Sequence, residues 1–341
     1  MLPKISFCIP TFNNAAYLAQ CIDSVLQQDY ANKEIVVVND YSTDHTSDLL
    51  SRYADAVTVI DNPFNHGQAV ATNQAIVAAT GDYCVILHSD DYLLPAFTKE
   101  LPALLNENAN VGLAVGERRE TDADDHVQKI APFYDGDYII PGRAQAQVFM
   151  FTSFLPCQVL VRKSLLWDIN LLDPRYEVNL DGLLWFKCAL KMDVAYIQAP
   201  VSSYRRHAQS TTGQLNQAPE HIAKIYATLK EMHRIGRNNN LSMDRFQESE
   251  QRLGEIALKY APDALLGGYP ETAGVYLKFA RLFNEEIIAR PDYQLIDSSL
   301  NSAIQEDGRA LETLSRKLAP HARQHSYAPP PGATPLTRTA T

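Results

Sequence analysis

Short apolar runs alternate with amphipathic segments along the first hundred residues. The runs have the length of buried strands, and the segments between them repeat apolar residues at helical spacing. Strands separated by helices of this length connect through right-handed crossovers, so the pattern predicts a mostly parallel, Rossmann-like sheet flanked by helices. In chain order we expect a strand at 5–9, a helix at 14–28, a strand at 34–38, a helix at 43–54, a strand at 57–60, a helix at 68–79 and a strand at 83–87.

The pattern changes after about residue 110. Two short strands, a helix and a further strand are separated by polar, aromatic-rich loops. From residue 213 the spacing is helical, and residues 321–341, rich in proline and small polar residues, are expected to be disordered. These later elements are predicted as strands at 111–115, 158–162 and 194–197 and helices at 181–192, 222–235, 246–260, 271–282 and 295–318.

Composition and charge narrow the class of protein. The 341 residues exceed one ordinary domain, and the 46% hydrophobic content is typical of a soluble globular protein. A net charge of −10 argues against a nucleic-acid partner, which requires a basic surface. No apolar run approaches the roughly 18 residues of a membrane span. The first strand starts at once, without room for a signal peptide, and the five cysteines lack C-x-x-C spacing. We therefore expect reduced core cysteines and a cytoplasmic location.

The segment 81–95, G-D-Y-C-V-I-L-H-S-D-D-Y-L-L-P, contains the most informative chemistry. Its apolar strand ends in Ser89, Asp90 and Asp91, and ligands of open α/β sheets bind at the carboxyl ends of strands. Adjacent carboxylates repel each other unless a cation or a donor compensates them, so they suit a hard divalent ion that holds a diphosphate. From these residues alone, capping of the next helix is an equally good interpretation.

Polar residues also follow the other predicted strands. Asp40 ends the second strand and can accept the N3–H of a uracil or thymine ring. The third helix begins after Asn65 and Gly67, and its free N–H groups form an anion site. Turns and helix caps explain each of these residues as well. The loop after the first strand can approach a nucleotide closely and consists of Pro10, Thr11, Phe12 and Asn13.

Taken in order, four segments resemble the family 2 glycosyltransferases, which are inverting enzymes of the GT-A fold. The segments are residues 7–30, 34–46, 65–76 and 81–95, within a resemblance that covers about residues 3–212. G-x-G-x-x-G and Walker A fingerprints are missing. The resemblance implies a GT-A domain at 1–212, with a nucleotide-sugar half at 1–100 and an acceptor half at 101–212. It also implies sugar transfer from a nucleotide diphosphate sugar, with UDP the expected nucleotide, to a hydroxyl of a glycan or a lipid-linked acceptor.

The resemblance assigns roles to individual residues. The first strand end and Asp40 would hold the base, Asp90 would lie beside the nucleotide sugar, and Asp91 with His207 would bind Mg²⁺ or Mn²⁺. The arginines of Y-R-R-H-A-Q-S (204–210) would neutralise the leaving diphosphate, unless they form a solvated pair. The implied donor contacts are Pro10, Thr11, Phe12, Asn13, Asp40, Asn65, Gly67, Asn73, Ser89, Asp90 and Arg206.

An inverting displacement also needs a base for the acceptor hydroxyl. The segment 179–185 resembles the family's acidic segment at the start of a helix, which makes Asp181 the candidate base. A helix cap is the alternative role for Asp181, and Asp173 and Glu177 are the competing acids.

The chain departs from the family pattern at five positions, where residues that are usual in the family are replaced by Asn39, Tyr41, Thr72, His88 and Leu180. His88 stands at the start of the acidic motif and is either a spare ligand or a structural histidine. The departures at Tyr41, His88 and Leu180 leave one alternative open, and the use of a similar sheet in activated-sugar synthesis leaves a second. One is a noncatalytic nucleotide-sugar-binding partner subunit. The other is a sugar nucleotidyltransferase, although the basic glycine-rich loop of that class is missing.

The helical region 213–320 carries no further acidic motif. We expect it to position the acceptor, to form a homodimer or to contact the inner membrane face peripherally. Its basic residues Lys224, Lys230, Arg234 and Arg237 form a modest patch that suits phosphate or lipid head groups, or else a solvated helix face.

Overall fold

A computed structural model describes residues 2–128, 130–210, 218–304 and 325–337. The chain divides into two units. The first contains the described residues up to Arg205 together with residues 325–337, and the second begins at Arg206 and contains the described residues up to 304. The two units divide between Arg205 and Arg206, a few residues before the boundary expected at residue 212. Residue 212 itself lies in the segment 211–217, which is outside the described residues.

The first unit is built on one mixed sheet. In the described residues its strands are Ile5–Thr11 (β1), Lys33–Asn39 (β2), Thr58–Asp61 (β3), Tyr83–Ile86 (β4), Tyr92–Leu93 (β5), Val111–Thr121 (β6), Val127–Gln128 (β7), Tyr138–Ile140 (β8), Val159–Arg162 (β9), Asp193–Arg205 (β10) and Thr334–Pro335 (β11). Their order is β11-β8-β10-β6-β9-β4-β1-β2-β3, while β5 pairs with β10 and β7 with β6.

The nucleotide half of the sheet has the predicted parallel arrangement. Strands β3, β2, β1 and β4 run parallel, with β1 between β2 and β4. The chain therefore leaves β1 towards one side of the sheet and later returns to its other side. This reversal creates a switch point between β1 and β4, which is the usual ligand crevice of open α/β sheets. Beyond β4, strand β9 runs antiparallel to both of its neighbours, β4 and β6.

Helices cover the sheet of the first unit. They are Ala15–Leu26 (α1), Thr46–Ser51 (α2), Gln68–Ala78 (α3), Ala96–Glu107 (α4), Gly142–Phe149 (α5), Lys163–Asp168 (α6) and Leu180–Ala189 (α7). The core between the sheet and its helices includes Phe7, Val37 and Val85 from the strands and Ile22 and Phe97 from the helices. All five cysteines are buried free thiols, as predicted.

The second unit consists of helices. They are Glu220–Asn238 (α8), Phe246–Leu266 (α9), Pro270–Phe283 (α10) and Pro291–Ile304 (α11), with a 3₁₀ turn at Glu285–Ala289. Pro270 lies at the start of α10, where its missing N–H has no helical acceptor. Gly254 allows α9 and α10 to approach closely, because a Cβ there would lie 2.8 Å from the carbonyl oxygen of Ala280.

The C-terminal residues 325–337 differ from the disordered tail that their composition predicts. Strand β11 pairs antiparallel with β8, and the N–H of Leu336 donates to the carbonyl of Asp137 at 2.9 Å. The N–H of Tyr327 donates to the carbonyl of Phe133 at 2.7 Å, and their ring centroids lie 5.1 Å apart. Two apolar anchors and an available strand edge therefore order a segment rich in proline.

None of the described helices combines the length and the apolar character that a bilayer crossing requires.

Candidate active site

The carboxyl ends of the parallel strands meet at one edge of the sheet. The backbone N–H of Asp40 donates to the carbonyl of Thr11 at 2.9 Å, and that of Asn62 to the carbonyl of Asn39 at 2.9 Å. Thr11 is 3% exposed, and among the described residues its hydroxyl has no hydrogen-bond partner. A buried hydroxyl without a partner is costly, so this edge retains a polar group that a ligand can satisfy.

Asp40 is buried at this edge and organises the turn before α3. Its carboxylate accepts from the side chain of Asn62 at 2.7 Å, from the N–H of His66 at 3.0 Å and from the N–H of Gly67 at 2.8 Å. Gly67 has φ +87°, a conformation that favours glycine. Asn65 also accepts from the N–H of Gly67, at 2.9 Å. The structure thus brings Asp40, Asn65 and Gly67 together, and their contact with a nucleotide sugar stays a prediction.

The loop after β1 is tied to the loop after β2. The Oδ1 of Asn13 accepts from the N–H of Thr43 at 2.7 Å, and the N–H of Asn13 donates to Ser42 Oγ at 2.9 Å. Phe12 is 48% exposed beside this junction, whereas Pro10 is buried within β1. Tyr41, one of the departures from the family pattern, has φ +68° and is 51% exposed, so the loop after β2 carries an aromatic ring at the surface.

Ser89, Asp90 and Asp91 follow β4 at the switch point. Ser89 accepts from the side chain of Asn14 at 2.8 Å. Asp90 is partly exposed, whereas Asp91 is 1% exposed and accepts from the backbone N–H of Arg205 at 3.0 Å. Burial and the neighbouring Asp90 charge raise the pKa of Asp91 well above its usual range. A pair of crowded carboxylates is a donor set that suits a hard divalent cation.

Asp181 lies in the first turn of α7, partly buried. Burial raises the pKa of its carboxyl above the ordinary value of 3.8, and the N–H of Gly182 and the charge of His88 lower it in part. The charge of His88 therefore acts on Asp181 although the two residues lie far apart in the sequence. His88 itself bonds to the side chain of Gln68 at 2.7 Å.

The two competing acids lie in different environments. Asp173 forms an ion pair with Arg175 at 2.6 Å, and the hydrogen bonds from Arg175 lower the pKa of Asp173. Glu177 is exposed. A carboxylate with a lowered pKa is a weaker base, so Asp173 is less suited than Asp181 to accept a proton.

Asn73 holds the loop that leads to α7. Its side chain donates to the carbonyl of Leu172 at 2.8 Å and accepts from the N–H of Leu172 at 3.0 Å. The sequence predicted that Asn73 contacts the nucleotide sugar, and this contact stays a prediction. The structure shows that Asn73 connects α3 to the segment before Asp181. The bond to a residue 99 positions away could not be read from local spacing.

The basic segment after β10 is divided between the units. Arg206 and His207 begin the second unit, and their contact with a donor or a cation stays a prediction. Arg205 belongs to the first unit and is 1% exposed, so it is not the solvated residue that the sequence left open. This burial could not be predicted from the sequence, because most residues of the segment 204–210 are charged or polar.

A second group of oxygen and nitrogen ligands was also missed. Asp122, Asp124 and His126 place one ligand atom each within 4.8 Å of one another, within the part of the chain that the structure describes. Asp122 accepts from the N–H groups of Asp124 at 2.9 Å and His126 at 3.0 Å. These hydrogen bonds explain the cluster as an exposed turn.

Comparisons with known proteins agree with this geometry. The family model described as Glycosyl transferase family 2 matches residues 6–169. An uncharacterized glycosyltransferase of Rickettsia typhi is 30% identical over 239 residues, which are 67% of this chain and 73% of that protein. The chondroitin synthase of Pasteurella multocida is 39% identical over 97 residues, which are 28% of this chain and 10% of that protein.

Solved structures share the fold. Residues 1–349 of S. aureus TarS in complex with UDP-GlcNAc align with a TM-score of 0.61 and 19% identity, over 92% of this chain and 90% of that one. The mannosyltransferase PcManGT of Pyrobaculum calidifontis, in complex with GDP-Man and Mn²⁺, aligns with a TM-score of 0.53 and 17% identity, over 92% and 84%. The GT-A fold predicted from the sequence is confirmed.

Proposed function

We propose that this protein, which belongs to glycosyl transferase family 2, is an inverting, metal-dependent glycosyltransferase with Asp181 as its general base. The observation that carries the proposal is that the charge of His88, which starts the acidic motif and bonds to Gln68 at the start of α3, acts on Asp181. A direct displacement requires the general base to lie close to the diphosphate site. The hydroxyl that the base deprotonates attacks the same anomeric carbon that the diphosphate leaves.

The first unit offers a site for the donor. Thr11 presents a buried hydroxyl, Phe12 presents an exposed ring, and the start of α3 presents N–H groups that favour anions. These residues lie at or just after the carboxyl ends of β1 and β3. Both strands lie on the same side of the crevice between β1 and β4. The solved neighbours were determined with UDP-GlcNAc and with GDP-Man, which supports a nucleotide diphosphate sugar as donor and leaves UDP as our expected nucleotide.

Asp90 and Asp91 are the residues that would hold Mg²⁺ or Mn²⁺. The Mn²⁺ in the complex of PcManGT supports a role for a divalent cation in this protein. Since Asp91 is 1% exposed and bonded to the backbone of Arg205, we assign the direct contact to Asp90 and a supporting role to Asp91, in place of the direct role first predicted for Asp91. A bound cation would supply positive charge against the leaving diphosphate.

Asp181 would remove the acceptor proton. The acceptor oxygen forms a bond to the anomeric carbon, the bond from that carbon to the diphosphate breaks, and the hydroxyl proton passes to Asp181. A raised pKa suits this role, because a base works best when its pKa approaches the working pH. The acceptor is a hydroxyl of a glycan or of a lipid-linked molecule, and the protein would act at the inner membrane face or in the cytoplasm.

Isothermal titration with UDP, dTDP and GDP, each with and without Mn²⁺, tests the proposal. We expect binding of one nucleotide that depends on the metal. Absence of binding for all three in the presence of Mn²⁺ would contradict it. Product analysis separates the alternatives, because acceptor-dependent release of a nucleoside diphosphate indicates transfer, whereas pyrophosphate release indicates nucleotidyl transfer.

A further inference from the structure

Arg205, the last residue of β10, fills all the donor positions of its guanidinium. The group has five N–H bonds in a fixed planar arrangement. Five acceptors from three separate segments lie within reach of it. They are the carbonyl of Asp90 at 3.1 Å from Nε, the carbonyls of Asp122 at 3.4 Å and Ala123 at 3.2 Å from Nη1, and the side-chain oxygens of Gln20 at 2.6 Å and Asp125 at 2.9 Å from Nη2.

Two aromatic rings enclose the same group. The guanidinium carbon lies 4.6 Å from the ring centroid of Tyr17 in α1 and 5.6 Å from that of Tyr92 in β5. The ring quadrupoles attract a planar cation and offset part of the cost of removing it from water. Arg205 is therefore stabilised inside the protein although it is 1% exposed.

The backbone of Arg205 reaches the second acid of the motif. Its N–H donates to Asp91 at 3.0 Å, while its Nε bonds to the carbonyl of Asp90. One residue thus contacts both members of the pair, and it links them to α1 and to the loop 122–125. Since the proposed cation ligands lie on a loop, their position depends on such supports.

We propose that Arg205 is a positioning residue that fixes the Asp90–Asp91 segment for the cation and diphosphate. The inference rests on the proposed function for the identity of the ligand, while the support itself is a property of the first unit. A lysine cannot replace Arg205, because its three donors cannot reach five acceptors arranged around a plane.

Arg162 provides a matched control. Its guanidinium also donates to backbone carbonyls, those of Leu105 at 2.6 Å, Asn108 at 3.2 Å and Val111 at 2.7 Å, and lies 5.7 Å from the ring centroid of Tyr83. Arg162 is the last residue of β9 and pairs with Tyr83 at the start of β4, which is the opposite end of β4 from the acidic motif. Arg162→Lys therefore perturbs the fold by the same chemistry without touching Asp90 or Asp91.

The experiment compares Arg205→Lys, Arg162→Lys and the wild type. Hydrogen exchange of residues 88–93 and 122–125 is followed by mass spectrometry, and titration measures binding of the nucleoside diphosphate that the wild type binds with Mn²⁺. For Arg205→Lys we expect faster exchange in both segments and an affinity about 10–100-fold weaker, the usual effect of losing a support to a metal ligand. Arg162→Lys should match the wild type in both measurements.

Asp125→Ala is a milder second variant, because it removes one exposed acceptor and leaves Arg205 in place. It should show the same two effects to a smaller degree, and it decides the matter if Arg205→Lys does not fold. The proposal is overturned if exchange or affinity changes no more in the Arg205→Lys and Asp125→Ala variants than in the control. If the wild type binds no nucleotide, the proposed function fails, and the exchange data alone then support or overturn the positioning role.

Discussion

At the scale of single residues, environment separates Asp181 from the other acids near it. Arg175 holds the pKa of Asp173 low, whereas burial raises that of Asp181. The sequence could indicate three acids, but it could not rank them, because the ranking depends on burial and on His88 from a distant strand end.

We predict that Asp181→Asn keeps metal-dependent nucleotide binding and lowers the transfer rate by about 10²–10⁴, since an amide cannot accept the acceptor's proton. Steady-state rates and titration of the same preparation measure the two effects. Asp173→Asn is the matched control and should keep near-normal turnover. Loss of turnover in Asp173→Asn but not in Asp181→Asn would reassign the base.

Asp181→Asn should lower the transfer rate but raise the stability of the fold at neutral pH. A raised pKa means that the folded state binds the proton more tightly than the unfolded state, so this contribution to stability is complete below pH 3.8 and is lost as pH rises through the folded pKa. Asp181→Asn should therefore raise the free energy of unfolding at pH 7, as urea titration would show. The transfer rate of the wild type should fall as pH falls through the same raised pKa.

The two acids of the motif should differ in their effects. Because Asp90 is partly exposed and Asp91 is buried against the backbone of Arg205, Asp90→Ala should remove Mn²⁺-dependent nucleotide binding. Asp91→Asn keeps an oxygen for that N–H and should weaken binding by about 10–100-fold. Isothermal titration at several Mn²⁺ concentrations measures both. A larger loss in Asp91→Asn would restore Asp91 as the direct ligand.

At the scale of elements, local periodicity was sufficient for the nucleotide half. The predicted strands and helices up to residue 87 all correspond to β1–β4 and α1–α3, because each is long enough to show its period. The strand predicted at 194–197 instead extends to Arg205. Pro200 interrupts its apolar pattern, and the register with β6 shifts there, where a residue without an N–H is tolerated.

Elements of two or three residues could not be predicted. The alternation of apolar and polar residues cannot be recognised in strands as short as β5, β7, β8 and β11. These strands form because a neighbouring strand offers a free edge or because side chains anchor them. The support of the acidic motif by Arg205 escaped prediction for the same reason, since β10 brings residue 205 beside residue 90 only in the folded sheet.

We predict that truncation after residue 324 exposes β8. Without β11 and the contacts of Tyr327 and Leu336, β8 stays paired with β10 and loses its partner on the other side, so amides of residues 133–140 should exchange faster. Hydrogen exchange by mass spectrometry is the measurement. Truncation after residue 337 keeps every described contact and is the control. Equal exchange in the two truncated chains would show that the C-terminal strand contributes nothing to this edge.

At the scale of the whole molecule, the chain leaves the first unit after Arg205 and returns to it with residues 325–337. Truncation at residue 212 would therefore remove part of the first unit together with the helices. Replacement of residues 218–322 by a flexible glycine–serine linker is the better test. We expect the shortened chain to keep metal-dependent nucleotide binding and to lose transfer to the natural acceptor. Transfer as fast as that of the full chain would contradict our assignment of the helices to acceptor positioning.

The central claim is a direct displacement at the anomeric carbon by a hydroxyl that Asp181 deprotonates. The most direct test lets the enzyme hydrolyse α-linked UDP-, dTDP- and GDP-sugars slowly, with water in place of the acceptor. Proton NMR then identifies which anomer of the free sugar is released first. The account predicts that the β-anomer appears first, that its release requires Mn²⁺ or Mg²⁺, and that Asp181→Asn abolishes it. Initial release of the α-anomer, or equal release by Asp181→Asn, would contradict it.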